Sequence, residues 1–236
     1  MRVEMWIDPV CPYSYIGKRL FDQALERFSH QEHIHITYKS YLLYEDALRV
    51  QQTDIVDQLF VDWDCSNREE RINQLYTCAE IVGLKDAFST AQQPINTLNA
   101  HRLIKYAAQN NKEEQMVNRL LEAHFFEHQS IEQIDCLLKL GEEIGLLDTE
   151  VNDLLHSCKF TTDVRNDTEE AKELGVGHIP FLIINETCGI QAFHTPEQFV
   201  YILNTLWDEN GMKATKQPSR KTTYCTAEGC HEIKHP

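Results

Sequence analysis

The sequence predicts an α/β fold interrupted by a large all-helical insertion, and three observations carry that expectation. Two strand patterns flank one amphipathic helix within the first 40 residues, which is the opening of an α/β unit. From Thr53 to about Phe160 six or seven amphipathic segments follow one another without a strand pattern. Strand patterns return only after residue 180. Composition agrees: glycine (9) and proline (7) are too sparse for a turn-rich all-β chain, and no apolar run approaches the roughly 18 residues of a membrane span.

Met1, Val3, Met5 and Ile7 alternate with Arg2, Glu4 and Trp6, a period of two that reads as a strand. Asp8-Pro9-Val10-Cys11-Pro12 stops it, and Ile16, Leu20, Phe21, Leu25 and Phe28 recur at helical spacing. His33-Ile34-His35-Ile36-Thr37-Tyr38 reads as the second strand. In the middle region Ser66-Asn67-Arg68-Glu69 and Ser130-Ile131-Glu132-Gln133 have the pattern of capping boxes, in which side chains satisfy the free amides of a first turn. Gly83 and Gly145 stand where helices should end. Phe181-Leu182-Ile183-Ile184 is a short apolar strand, Asn185 to Gly189 a turn, and Ile190 to Phe193 its hairpin partner. Thr195-Pro196-Glu197-Gln198 opens a last helix with the stripe Phe199, Ile202, Leu203 and Leu206.

The expected division is residues 1–45 and 161–210 as two parts of one α/β domain, 46–160 as the helical insertion, and 211–236 as a polar tail. Charge separates the tail from the rest. The chain carries −15, whereas the tail holds five basic residues against two acids, a net of +3 that leaves −18 on the body. A body this acidic repels phosphate backbones and anionic membranes, so neither nucleic acid nor membrane is expected as a partner. The N-terminus lacks an apolar signal core, and eight cysteines are too few for a disulfide scaffold, so a cytoplasmic setting with reduced thiols is expected.

Cys11 sits where a strand hands over to a helix. Free amides and the positive end of the helix dipole favour thiolate there, which would bring the pKa below the usual value of about 8.5. Taken alone, the position also suits a structural cysteine. Val176-Gly177-His178-Ile179-Pro180 precedes the late strand, and alone it suits an ordinary trans proline.

In this order the segments resemble the DsbA family, closest to its FrnE-like cytosolic branch. The resemblance is carried by Cys11-Pro12-Tyr13-Ser14-Tyr15-Ile16-Gly17-Lys18, by Asn96-Thr97-Leu98-Asn99-Ala100-His101-Arg102-Leu103 and by Gly175-Val176-Gly177-His178-Ile179-Pro180-Phe181, and covers about residues 1–208. It implies a thioredoxin-like fold, a cis Pro180 beside Cys11, and thiol–disulfide exchange with Cys11 as nucleophile. Pro12, Tyr13, His178 and Ile179 would then meet substrate, an extended segment pairing with the Ile179 backbone. His101 either faces the cleft and exchanges protons with Cys11 or packs the insertion; Arg102 either holds an anionic substrate or is solvated.

Ser14 departs from the family's Cys-Pro-x-Cys pattern. It cannot resolve a mixed disulfide, so release would fall to an outside thiol, which suits glutathione as co-substrate or disulfide isomerisation. Its hydroxyl can donate to the Cys11 thiolate. The Pro-Tyr-Ser-Tyr run is also similar to glutathione transferase kappa and 2-hydroxychromene-2-carboxylate isomerase, which have serine where Cys11 stands. A non-catalytic binding module on the same fold is the third reading. No tightly bound cofactor is expected, substrates are protein or small-molecule thiols and disulfides, and the oligomeric state stays open.

Among the other cysteines, Cys78 and Cys158 lie on or beside apolar stripes and are expected to be buried. Cys225-Thr226-Ala227-Glu228-Gly229-Cys230 is different: the resemblance implies an auxiliary redox pair. With His231 and His235 it also reads as a four-ligand zinc set, cramped beside the spacing of zinc fingers.

Overall fold

Strand β1 (Arg2–Ile7) lies inside a sheet rather than on its face. Met5, Trp6 and Ile7 are all buried, so the period-two pattern has outward positions only at Arg2 and Glu4. The computed structural model describes residues 1–45, 68–88, 94–191, 194–213, 223–226 and 229–232. Helix α1 (Pro12–Arg27) follows, and β2 (His35–Ser40) returns parallel to β1. It begins two residues later than the sequence suggests, because Gln31–His33 close into a 3-10 turn.

Strand β3 (Phe181–Ile184) pairs antiparallel with β1, and β4 (Cys188–Gln191) antiparallel with β3. The turn is tighter than expected: Asn185 and Glu186 take φ of 51° and 61°, which lets β4 start at Cys188. Two further strands come from the region expected to be a polar tail. Helix α8 (Pro196–Lys213) runs past residue 210, β5 (Thr223–Thr226) adds parallel to β4, and β6 (Gly229–Glu232) closes a hairpin. At four residues each, these strands are too short for alternation to show. The six-stranded order is β2-β1-β3-β4-β5-β6, and the fold is a thioredoxin-like α/β fold with a helical insertion.

The insertion contributes α2 (Arg68–Ile81), α3 (Leu98–Gln109), α4 (Glu113–Phe125), α5 (Ile134–Glu143) and α6 (Asp148–Leu155), and α7 (Thr161–Glu173) leads back to the sheet. Gly83 (φ 74°) and Gly145 (φ 75°) end α2 and α5 as expected, because a residue without Cβ takes this conformation freely. Ser130 does not cap α5: Gln133 holds the cap position without a side-chain bond, and the Gln133 amide donates to the Ser130 carbonyl in a preceding turn. Ser66 lies outside the described residues. At α8 the capping box forms, with Thr195 N donating to Gln198 Oε1 (2.9 Å) and Gln198 N to Thr195 Oγ1 (3.3 Å).

Helix α3 of the insertion and helix α7 after it close the open edge of β2. Lys105 of α3 donates to the Tyr38 carbonyl (3.1 Å), and Asp167 of α7 accepts from the Ser40 amide (2.9 Å). Lys18, which a surface reading of α1 would leave in water, is fully buried and paired with Asp22 at 2.8 Å and Glu114 at 3.5 Å. Among the described residues no helix is long and apolar enough to cross a membrane.

Candidate active site at the start of helix α1

The end of β1 turns tightly into α1. Cys11 N donates to the Asp8 carbonyl (2.9 Å), and Val10 N to Asp8 Oδ1 (3.1 Å). Pro12 takes the first turn of the helix, where its missing N–H costs nothing, and Cys11 becomes the N-cap with extended backbone. Its Sγ accepts from Ser14 N at 3.4 Å and lies 3.9 Å from the Ile179 carbonyl. The Ile179–Pro180 peptide bond is cis. Two segments about 170 residues apart in sequence thus meet at one sulfur.

The expected lowering of the thiol pKa is reversed. Cys11 is fully buried, and burial pushes its thiol up to about 12; the Ser14 hydroxyl and amide and the Tyr13 amide hold it down, while the Asp8 charge raises it further. The amides are where sequence places them, but loss of water costs the thiolate more than they return. Ser14 is equally buried, and its Oγ accepts from Asp8 N at 3.3 Å. Pro12, Tyr13, Ile179 and Pro180 are buried around the sulfur, and His178 is half-buried beside them.

His101 and Arg102 are not on an open substrate surface. His101 is 1% exposed, and its Nε2 lies 4.0 Å from Asp8 Oδ1. Burial lowers its pKa to about 3. Arg102 donates through Nε to the Lys159 carbonyl (2.7 Å) and through Nη1 to Asn99 Oδ1 (2.8 Å). Its Nη2 reaches the carbonyls of Leu154 (2.5 Å) and Ser157 (2.7 Å). These carbonyls belong to the last turn of α6 and the segment after it, so Arg102 ties down the end of a helix and has no fork to offer an anion.

Two residues to which sequence reasoning gave no role complete the site. Asp8 is fully buried, and its Oδ2 accepts from Leu43 N (3.0 Å) and Thr97 Oγ1 (3.0 Å). Burial pushes its carboxyl up to about 6 against those bonds. The signal was an acid directly before the Pro9 turn, and a hydroxyl inside the Asn96–Leu103 stretch. Elsewhere, Cys78 is half-buried, and Cys158 is exposed rather than buried because it falls in the bend between α6 and α7.

Cys225 and Cys230 stand opposite each other in the β5–β6 register. His231 pairs with Tyr224 across the same hairpin, and His235 lies outside the described residues.

The sequence profile of the DSBA-like thioredoxin domain matches residues 2–204. Among solved structures, a probable DsbA oxidoreductase from Streptomyces coelicolor superposes with a TM-score of 0.78 at 25% identity, covering 98% of both chains. A 2-hydroxychromene-2-carboxylate isomerase superposes at 0.61 with 14% identity, covering 92% of this chain and 100% of that one. A cytosolic disulfide reductase from Pseudomonas aeruginosa, solved with GSH, also superposes at 0.61, with 15% identity and coverage of 88% and 100%.

Proposed function

The chain belongs to the DSBA-like thioredoxin domain family, and we propose that within it this protein carries out thiol–disulfide exchange through Cys11 alone. The observation that carries this reading is the placement of Cys11 Sγ between the first amides of α1 and the Ile179 carbonyl, with Ser14 where a second thiol would stand. The Cys11 thiolate attacks one sulfur of a disulfide, forms a mixed disulfide and expels the other sulfur as thiolate, which takes up a proton. An external thiol, glutathione as co-substrate, then attacks the mixed disulfide and frees Cys11.

Burial sets the timing. With burial pushing its pKa up to about 12, Cys11 is a thiol rather than a thiolate at pH 7 in the closed structure. Substrate entering beside Ile179 has to open this cover and let the amides and the Ser14 hydroxyl act on a rehydrated sulfur. The five described free cysteines suit a reducing, cytoplasmic setting. Cys225 and Cys230 form an auxiliary thiol pair on the sheet edge, exchanging with outside thiols.

The test is incubation with glutathione disulfide between pH 7 and 9, read by intact mass with peptide mapping. A glutathione adduct at Cys11, lost in Cys11→Ala and reversed by reductant, is expected. No adduct at Cys11 in folded protein would overturn the proposal; conjugation of an electrophile without disulfide chemistry would favour a glutathione transferase kappa-like enzyme. Binding of thiol peptides without turnover would favour a non-catalytic module.

A further inference from the structure

Beneath Cys11 two buried proton acceptors face each other with no donor between them. Asp8 Oδ1 lies 4.0 Å from His101 Nε2, and both side chains are closed to water. Asp8 Oδ1 also accepts from Val10 N, and Oδ2 from Leu43 N and the Thr97 hydroxyl. The imidazole is hydrogen-bonded to the Tyr41 backbone, while Nε2 has no hydrogen-bond partner. A neutral imidazole carries one N–H, and with it on the Tyr41 side Nε2 presents a lone pair to the carboxylate. One proton placed between them, as a carboxyl O–H or an imidazolium N–H, removes the opposition of the two lone pairs and lets the groups close from 4.0 Å to hydrogen-bond distance.

We propose that Asp8 and His101 form a single-proton site that sets the charge beneath Cys11, which makes His101 and Thr97 positioning residues of the exchange reaction; this rests on the reading of Cys11 as nucleophile. Unloaded, the pair carries one negative charge next to the sulfur and opposes thiolate; loaded, it is neutral and that opposition is gone. The proton comes from solvent and returns to it, and no electrons move. Among the described residues the other groups facing the pair are few. Lys105 on the same helix disfavours imidazolium, Asp167 on α7 favours it, and those two are paired with each other at 2.5 Å. Cys11 and Ser14 face Asp8 from the β1–α1 turn. With Asp8 pushed up to about 6 and His101 down to about 3, the proton belongs on the carboxyl, and Nε2 is the acceptor it meets when the pair closes.

The experiment follows the His101 imidazole by ¹⁵N NMR in the full-length protein from pH 4.5 to 8, alongside iodoacetamide alkylation of Cys11 over the same range. The Nε2 resonance is expected to shift with an inflection near pH 6, from free lone pair to hydrogen-bond acceptor. The logarithm of the alkylation rate should show a shoulder at the same pH, about tenfold in height, equivalent to one unit in the thiol's pKa. Thr97→Val removes a donor to the carboxylate and should move both inflections upward by about one unit, whereas Thr97→Ser should restore them. A flat Nε2 signal, or an inflection that ignores Thr97→Val, overturns the single-proton site. An Nε2 inflection without a matching shoulder at Cys11 overturns its link to the thiol. A Cys11 that is alkylated but never forms mixed disulfides defeats the exchange reading instead, and the NMR titration separates that failure from this one.

Discussion

Ser14→Cys should convert a monothiol site into one that resolves its own intermediates. Cys11 Sγ already accepts from the residue-14 amide at 3.4 Å, so residue 14 lies over the sulfur. Residues three apart on a helix hold their Cβ atoms about 5–6 Å apart, within a small rotation of the roughly 3.5–4.5 Å a disulfide needs. Against an external thiol at about 1 mM, even a modest effective concentration of about 1 M makes internal resolution about a thousandfold faster. Turnover then rises until another step limits it, and we expect at least about a tenfold gain in insulin reduction with glutathione as reductant. The substitution has a cost: Asp8 N donates to Ser14 Oγ at 3.3 Å, and sulfur accepts more weakly. Losing most of that bond costs about 1 kcal/mol, or about 2–4 °C in Tm for a chain of this size. Unchanged insulin reduction in a folded variant whose new thiol is accessible to alkylation would refute the assignment of Ser14 to the resolving position.

Three further outcomes follow from the geometry. Arg102→Ala leaves the carbonyls of Lys159, Leu154 and Ser157 without their charged donor and should cost about 3 kcal/mol by denaturant unfolding, with Cys11 alkylation unchanged. The Asp8–His101 pair should add little net pH dependence to stability between pH 4 and 6: the lowered His101 pKa makes stability fall on acidification below about 6.5, the raised Asp8 pKa makes it fall as pH rises from about 4 to 6, and the two slopes oppose. Relative to wild type, His101→Asn should expose the Asp8 slope and Asp8→Asn the His101 slope, each about 1–2 kcal/mol across that window, and profiles parallel to wild type in both variants would contradict the two shifts. Cys225 shares a register row with Ile190, Leu182 and Met5, which puts it three strands from β1, about 14 Å. The double variant Cys225→Ser/Cys230→Ser should therefore release a Cys11-bound peptide at the wild-type rate in a single turnover without glutathione; slower release would mean that the hairpin leaves the sheet to reach Cys11.

Local chemistry was legible in the sequence wherever one segment decides it. The Thr195–Gln198 capping box, the helix-ending Gly83 and Gly145, and the hydrophobic stripe of α1 rest on neighbours within one or two turns, and all are present. Misreadings gather where distant segments decide. Ser130-x-x-Gln133 satisfies the capping pattern but forms a turn, because Gln133 takes extended backbone before α5. Strand β5 has only four residues, and what makes it a strand is the free edge of β4, which no window over Thr223–Thr226 contains. Lys18, whose exposure no local pattern in α1 decides, is buried because α4 brings Glu114 over it.

The same division explains the site. The address of Cys11 at a helix start is local and came out as expected, but its protonation depends on burial, and burial here is contributed from outside the motif. Ile179 comes from the loop before β3, Tyr41 from the segment after β2, and Asp8 is held by Thr97 and faced by His101 from the insertion. A motif's amides lower a thiol's pKa only while water shares the work of stabilising the charge; once the sulfur is enclosed, the largest effect is the loss of that water. The insertion is therefore more than a lid added to a thioredoxin-like domain. Its Lys105 closes the sheet edge together with Asp167 of α7, and its Thr97 holds, and its His101 faces, the carboxylate that sits under the Cys11 sulfur. Displacing α3 would alter the charge at Cys11 before it altered the fold of β1 and α1, because the strand–helix turn is closed by its own bonds, Cys11 N to the Asp8 carbonyl and Val10 N to Asp8 Oδ1.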